Sequence, residues 1–191
     1  AIGKRNGEAA TRTIDADGLV LAPGFIDPHT HYDAQVAWDP LITCSSWHGI
    51  TTVVMGNCGV GVAPVRPELR DVLMWDLVNV EAIPFEVMQR GIDWQWESHK
   101  EYLDALQKRG LGINVASLAA LTPLRHYVMG EESFERAANA EEITRMQQLL
   151  REAINAGVFG FTTTILNNHI GYQGRPLACR NASRDELQAF C

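Results

Sequence analysis

The chain has 191 residues, 46% of them hydrophobic and 20% charged, with a formal net charge of −7. This is an ordinary globular composition, unlike that of a disordered, collagenous or disulfide-scaffold chain, and the length allows one core of ordinary size. The acidic balance repels nucleic acid and anionic membrane surfaces, so neither is expected as a partner, and no apolar run approaches the roughly 18 residues of a spanning helix. Four cysteines without a C-x-x-C read as reduced thiols, an expectation of cytoplasmic localisation.

Residues 1–22 are turn-rich. Lys4-Arg5-Asn6-Gly7 and Asp17-Gly18 are turn signals, Thr11–Asp15 alternates, and Leu19-Val20-Leu21-Ala22 reads as a short apolar strand, so the segment is expected to belong to a small β structure. After Pro23-Gly24 four apolar strands are predicted. They are Phe25–Asp27, the β-branched run Gly49–Gly56, Gly112–Ser117 and Val158–Thr163. Continuous rather than alternating hydrophobicity indicates burial on both faces, as in a parallel sheet. Helical signals fall between them. Ser98-x-x-Glu101 and Asn139-x-x-Glu142 are capping boxes, each followed by apolar residues at helical spacing and closed by Gly110 and Gly157. Ser183-x-x-Glu186 opens a third helix, and another lies between Pro67 and Arg90, interrupted by Pro84. Strands alternating with helices define α/β units.

His29-Thr30-His31 follows the first strand directly. In extended backbone, residues two apart point to the same side, so two imidazoles leave the strand end in parallel, a natural pair of ligands for Zn²⁺. A bare H-x-H is more often two surface histidines; its place at the carboxyl end of a buried strand, where α/β folds carry their sites, favours a metal. Cys58, in Gly56-Asn57-Cys58-Gly59, holds the equivalent place one strand later, and neighbouring strands lie roughly 4.7–4.9 Å apart. The alternative for Cys58 is a small buried hydrophobe. Asp27 reads as an acceptor behind the histidines or a weak ligand, and Asp33 as a ligand-orienting or substrate-contacting carboxylate; turn and cap formation explain both equally well. His169, Tyr172 and Arg175 fall in a long loop after the fourth strand, where the arginine could meet a substrate carboxylate, with a solvated loop as the alternative. Arg125 is open to the same two readings, a substrate contact or a structural ion pair. His48 and His99 read as structural, and His126 as a satisfied surface residue.

Ala22-Pro23-Gly24-Phe25-Ile26-Asp27-Pro28-His29-Thr30-His31 resembles the opening strand of the amidohydrolase superfamily. The run from Gly49 to Gly59, ending Gly-Asn-Cys-Gly, is similar to the N-acyl-D-amino-acid deacylase (D-aminoacylase) branch, as are Asn114–Leu118, Leu124-Arg125, Val128-Met129-Gly130, Gly160–Thr163 and Ala182–Leu187. The resemblance implies a (β/α)₈ barrel of the TIM type beside a small β-sandwich, with His29, His31 and Cys58 as ligands of one or two Zn²⁺ ions. A barrel typically takes about 250 residues. The expected fold is therefore the front half of one, over 23–191, with a strip of the sandwich in 1–22, in an N-terminal fragment of such a protein. Two further histidine ligands and a general-base Asp are expected beyond residue 191. The turn after the third strand departs from the family pattern, with Ala120-Leu121 where Gly-His is usual.

The implied activity is hydrolysis of the amide bond of small N-acyl amino acids, D-configured in this branch, by metal-activated water, with the fragment alone inactive. A dihydropyrimidinase-like enzyme of the same superfamily is the first rival; such proteins bridge their metals with a carbamylated lysine after the fourth strand, and Phe161–Leu166 contains no lysine. A non-catalytic barrel relative is the second, and the joint presence of His29, His31 and Cys58 argues against it. Oligomeric state is left open.

Overall fold

The computed structural model describes residues 9–191. Strand β1 (Phe25–Asp27) pairs in parallel with β2 (Ile50–Met55), and β2 pairs in parallel with β3 (Asn114–Ser117). After one intervening residue the chain re-enters the ladder as β4 (Ala119–Ala120), parallel to β5 (Phe161–Thr162). Leu118 N–H donates to Met55 C=O at 2.9 Å and Phe159 N–H to Ser117 C=O at 3.0 Å, so the two small sheets are linked by hydrogen bonds. Strand order follows chain order, every strand pair is parallel, and helices make the crossovers. The four predicted strands are present as β1, β2, β3 and β5, and β4 is a further short strand outside them.

The helices are α1 (Thr43–Ser46), α2 (Arg70–Glu81), α3 (Phe85–Gly91), α4 (His99–Arg109), α5 (Leu121–Met129), α6 (Ala140–Asn155) and α7 (Arg184–Ala189). Both predicted capping boxes form: the Ser98 and Asn139 side chains take N–H groups of the first turn while Glu101 and Glu142 reach back. Pro84 separates α2 from α3 and caps the latter. At α7 the box is half made. Ser183 accepts the Glu186 N–H at 3.1 Å, but the Glu186 carboxylate turns inward to Arg125. No helix among the described residues is long and apolar enough to cross a membrane.

Burial rises toward the carboxyl end of each of the first three strands. The segment after β2 contributes Val60, Val62, Ala63 and Val65 to the same buried core as Leu73, Leu77 and Tyr102. Two expectations fail. Phe25 and Ile26 are 64% and 66% exposed, because β1 is the edge strand and has only β2 beside it. Leu19–Ala22 forms no strand; those residues are exposed and pair with nothing among the described residues. The Asp17-Gly18 turn is present, closed by Leu19 N–H to Ala16 C=O at 2.9 Å, whereas Lys4–Gly7 lies outside the described residues.

Arg125 settles on the structural reading. It is fully buried on α5, its Nη1 lies 2.5 Å from each Glu186 oxygen, and its Nη2 donates to the Ser133 and Arg136 carbonyls. Breaking a buried pair strands the surviving charge, at about 3–5 kcal/mol. Glu186→Gln is therefore expected to lower the urea midpoint by that equivalent, and an unchanged midpoint would show the pair to be energetically idle.

His99 begins α4, buried, with its Nε2 3.1 Å from Ser117 Oγ. Burial lowers its pKa from 6.5 to about 4, and the helix N-terminus is itself a poor place for a cation. As pH falls the unfolded chain protonates this group first. Stability is therefore complete above about pH 6.5 and drains away toward pH 4, by up to about 3 kcal/mol from this residue. Replacing His99 with Asn should flatten that part of the stability–pH curve; equal slopes in the two proteins would contradict it.

Candidate metal centre

The H-x-H segment is set by its middle residue. Thr30 is buried, and its N–H and Oγ1–H both donate to Val54 C=O, at 3.0 and 2.8 Å. With Thr30 pinned toward β2, His29 and His31 turn to the other side, their ring centroids 5.3 Å apart. Asp27 holds the entry to the turn, its Oδ1 accepting the His29 N–H at 3.2 Å.

Each residue of Gly56-Asn57-Cys58-Gly59 has a physical reason. Gly56 has φ +86°, and a Cβ there would sit 2.1 Å from Leu118 C=O, so only glycine fits. Asn57 donates through Nδ2 to Thr30 C=O at 3.3 Å and Val54 C=O at 3.0 Å, joining the two strand ends. Cys58 is held at φ +53°, a strained conformation for a residue with a side chain. From the far side Thr162 of β5 braces the turn, its Oγ1 donating to Gly56 C=O and accepting Gly59 N–H at 3.2 Å.

The result brings together His29, His31 and Cys58. One donor atom from each lies within 4.8 Å of the other two, and Cys58 Sγ is 3.3 Å from His29 Nε2. Ligands of one tetrahedral zinc stand roughly 3.3–3.6 Å apart, given Zn–N near 2.0–2.1 Å and Zn–S near 2.3 Å. The sulfur–nitrogen pair is already at that spacing, and side-chain rotation closes the rest. His31 Nδ1 is buried without a hydrogen-bond partner. Two imidazoles and a thiol are a borderline-soft set suited to zinc, and three protein ligands leave a coordination position open.

Burial, then the charges of His29 and His169, push the His31 pKa down to about 4, which keeps the ring neutral with one nitrogen lone pair free to ligate. Burial, then the negative Glu81 and Cys179, push the Cys58 thiol up. A cation reverses that preference, because a ligating thiol is deprotonated and its proton released.

The remaining candidates are placed differently. Asp33 is buried beneath the site, its Oδ2 accepting Gly56 N–H at 3.1 Å and its backbone C=O accepting Tyr102 O–H at 2.8 Å. Burial raises its pKa to about 7. It holds the turn that carries Cys58, and the expected substrate contact finds no exposed carboxylate. Arg175 lies beside Glu131 and Glu135, its guanidinium at 3.1 and 3.4 Å from their carboxylates, and stacks on Phe134. Tyr172 is fixed through its N–H to Asp76 Oδ1 at 2.7 Å. His169 stays outside the three-residue cluster but near enough for its charge to lower the His31 pKa. Glu81 was not anticipated. At the end of α2 its Oε1 lies 3.4 Å from His31 Nε2. An acid in a helix's last turn opposes the macrodipole, and that anomaly was the readable signal.

Fold and cluster together define a parallel α/β protein with a candidate zinc centre at the carboxyl ends of its strands. Residues 12–191 match the amidohydrolase family. A D-aminoacylase of Alcaligenes xylosoxydans xylosoxydans is 37% identical over 163 residues, covering 85% of this chain and 31% of that protein. A solved D-aminoacylase structure, described for its binuclear metal centre, matches at a TM-score of 0.66 with 31% identity over 88% of this chain and 31% of its own. The N-acyl-D-glutamate deacylase of Bordetella bronchiseptica, solved with zinc and a phosphonate inhibitor, matches at 0.65 with 30% identity and the same coverage. This chain belongs to the amidohydrolase family, and it spans about a third of the length of these relatives.

Gly56→Ala tests the turn. The added Cβ meets Leu118 C=O and the positive φ resists it, so the protein should be destabilised by more than the roughly 0.4–1 kcal/mol by which Gly→Ala stabilises at a compatible site. A thermal midpoint equal to that of the wild type would refute the close-approach argument.

Proposed function

We propose that this chain carries the first ligands of a zinc-dependent amidohydrolase that cleaves the amide bond of N-acyl-D-amino acids. The observation that carries the reading is the convergence of His29, His31 and Cys58 at the ends of β1 and β2. In this reading residues 23–191 are the front half of a (β/α)₈ barrel and residues 1–22 a strip of a small β-sandwich. The chain-order parallel strands with helical crossovers support the first part. The four cysteines are free, which supports a reducing, cytoplasmic setting.

His29 and His31 would hold one or two zinc ions through neutral imidazoles, and Cys58 would add a thiolate. When bound, zinc lowers the pKa of a coordinated water to about 7 and polarises the substrate carbonyl. Thr30, Asn57 and Asp33 keep the donors aimed by fixing both strand ends to each other.

In the complete protein containing this chain, Cys58→Ala should lose tightly bound zinc, with affinity falling by more than the roughly 10–100-fold typical of residues behind the ligands. Zinc content equal to wild type, read by elemental analysis, would remove Cys58 from the site. The metal-replete enzyme is expected to hydrolyse N-acetyl-D-amino acids faster than their L-isomers; hydrolysis of neither sinks the deacylase reading.

A further inference from the structure

Away from the histidine pair, a cavity of about 390 Å³ lies between helices α4 and α6. Its size falls in the range of roughly 300–1,000 Å³ usual for small-ligand sites. Leu124, Leu149 and Ala153, all buried, give it an apolar floor. Its two ends differ in sign. One is the first turn of α4, with His99 and Lys100; the other is the end of α6, with Glu152, Asn155 and Ala156. At the α4 end the capping box satisfies the N–H groups of Ser98 and Glu101, but among the described residues no acceptor takes those of His99 and Lys100. These two donors, the positive pole of the helix and the Lys100 ammonium make a place for a carboxylate. Lys100 pairs with Asp104 on the surface, where such contacts contribute little and yield to a better partner.

At the α6 end the carbonyls of Asn155 and Ala156 meet no donor among the described residues, and the exposed Glu152 carboxylate stands at the rim. With the negative pole of the helix they suit an ammonium group. One more polar group beside the cavity lacks a partner. His99 is 7% exposed and lines the cavity; Ser117 Oγ stands 3.1 Å from its Nε2, and its buried Nδ1 has no hydrogen-bond partner. Such a group in a folded protein marks a missing partner.

We propose that this cavity binds a free α-amino acid with an apolar side chain, as the zwitterion. The carboxylate lies on the first turn of α4 and Lys100, the ammonium on Glu152 and the carbonyls that end α6, and the side chain on Leu124, Leu149 and Ala153. The two poles select this class. An anion alone meets Glu152 and the α6 carbonyls, an amine alone meets Lys100 and the α4 dipole, and an uncharged apolar molecule leaves both ends unpaired. In the reading above, this class is also the product of the reaction, yet the site uses none of His29, His31 or Cys58 and stands without zinc.

In the complete protein containing this chain, hydrogen–deuterium exchange is followed by mass spectrometry with racemic leucine, with isocaproate, which lacks the amine, and with isoamylamine, which lacks the carboxylate. Zinc-loaded and metal-stripped forms are compared. Leucine should slow exchange in segments 98–106 and 149–157 equally in both forms. Isocaproate and isoamylamine should each need about tenfold or more higher concentration, the loss of one charge-assisted contact. Glu152→Lys and Lys100→Glu, at exposed positions, should weaken leucine binding by a similar factor, while the ligand series itself needs no variant. No protection of these segments at millimolar leucine overturns the proposal. So does isocaproate or isoamylamine binding as well as leucine, or wild-type leucine affinity in both charge variants. Protection that disappears on metal stripping, or that falls instead on the segments holding His29 and Cys58, assigns leucine to the metal centre and overturns this site alone. Protection in a protein that binds no zinc keeps this inference and removes the zinc reading.

Discussion

The register of β1 on β2 continues past the ends of the strands, and everything at the site depends on that continuation. Asp27 stands opposite Val53, and beyond it Thr30 and Asn57 both bond Val54 C=O while Asn57 also bonds Thr30 C=O. Asp33 closes the arrangement through Gly56 N–H. Four short-range bonds thereby transfer the precision of a parallel ladder to two irregular segments that carry the donors. The positive φ at Cys58 costs backbone energy, and the braces from Asp33, Asn57 and Thr162 on the turn around it offset that cost. The site is rigid because its irregular backbone is satisfied by side chains, where a regular strand would be satisfied by its neighbours.

Electrostatics at this strand end run one way. Burial drives His31 toward neutrality, raises the Glu81 carboxyl and disfavours the Cys58 thiolate. Each shift is a charge that the site resists holding by itself. A divalent cation removes the resistance for all three at once, since it favours a neutral imidazole, a thiolate and an ionised carboxylate together. Residues so arranged cost stability in isolation, which is why such clusters belong to function more often than to folding.

Local signals carried most of the readable structure. The boxes at Ser98 and Asn139 and the stop at Pro84 are written within a few residues, and the chain obeys them. The H-x-H and Gly-Asn-Cys-Gly motifs were legible because glycine spacing and strand ends are local too. What escaped depends on distant partners. Phe25 and Ile26 read as core residues, but their exposure follows from the edge position of β1, and no window of sequence contains that fact. Helix α5 was obscured by Pro123, which sits in its first turn where its missing N–H costs nothing. Arg175 has the composition of an anion binder; only the fold brings Glu131 and Glu135 to it.

Helix α2 makes the two sides of the site interdependent. Its last residue, Glu81, lies against His31. One turn and a half earlier, Asp76 is buried with His126, whose Nε2 is 3.2 Å away and whose Nδ1 is 2.7 Å from Ser133 Oγ. The Ser133 hydroxyl is itself 2.5 Å from Gly130 C=O, so His126 is held by a polar partner at each ring nitrogen. The other oxygen of Asp76 takes Tyr172 N–H, and Asn79 Nδ2 donates to Gly171 C=O at 2.7 Å. Gly171 is required here, because a Cβ would come within 2.4 Å of Asp76 Oδ1. The loop after β5 is therefore fastened to the same helix that presents Glu81, and His169 in that loop bears electrostatically on the same imidazole. Any displacement of α2 along its axis would move a carboxylate past His31 and drag the loop with it. Helix α2 is thus tied down by polar bonds from Asp76 and Asn79 as well as by its buried apolar residues.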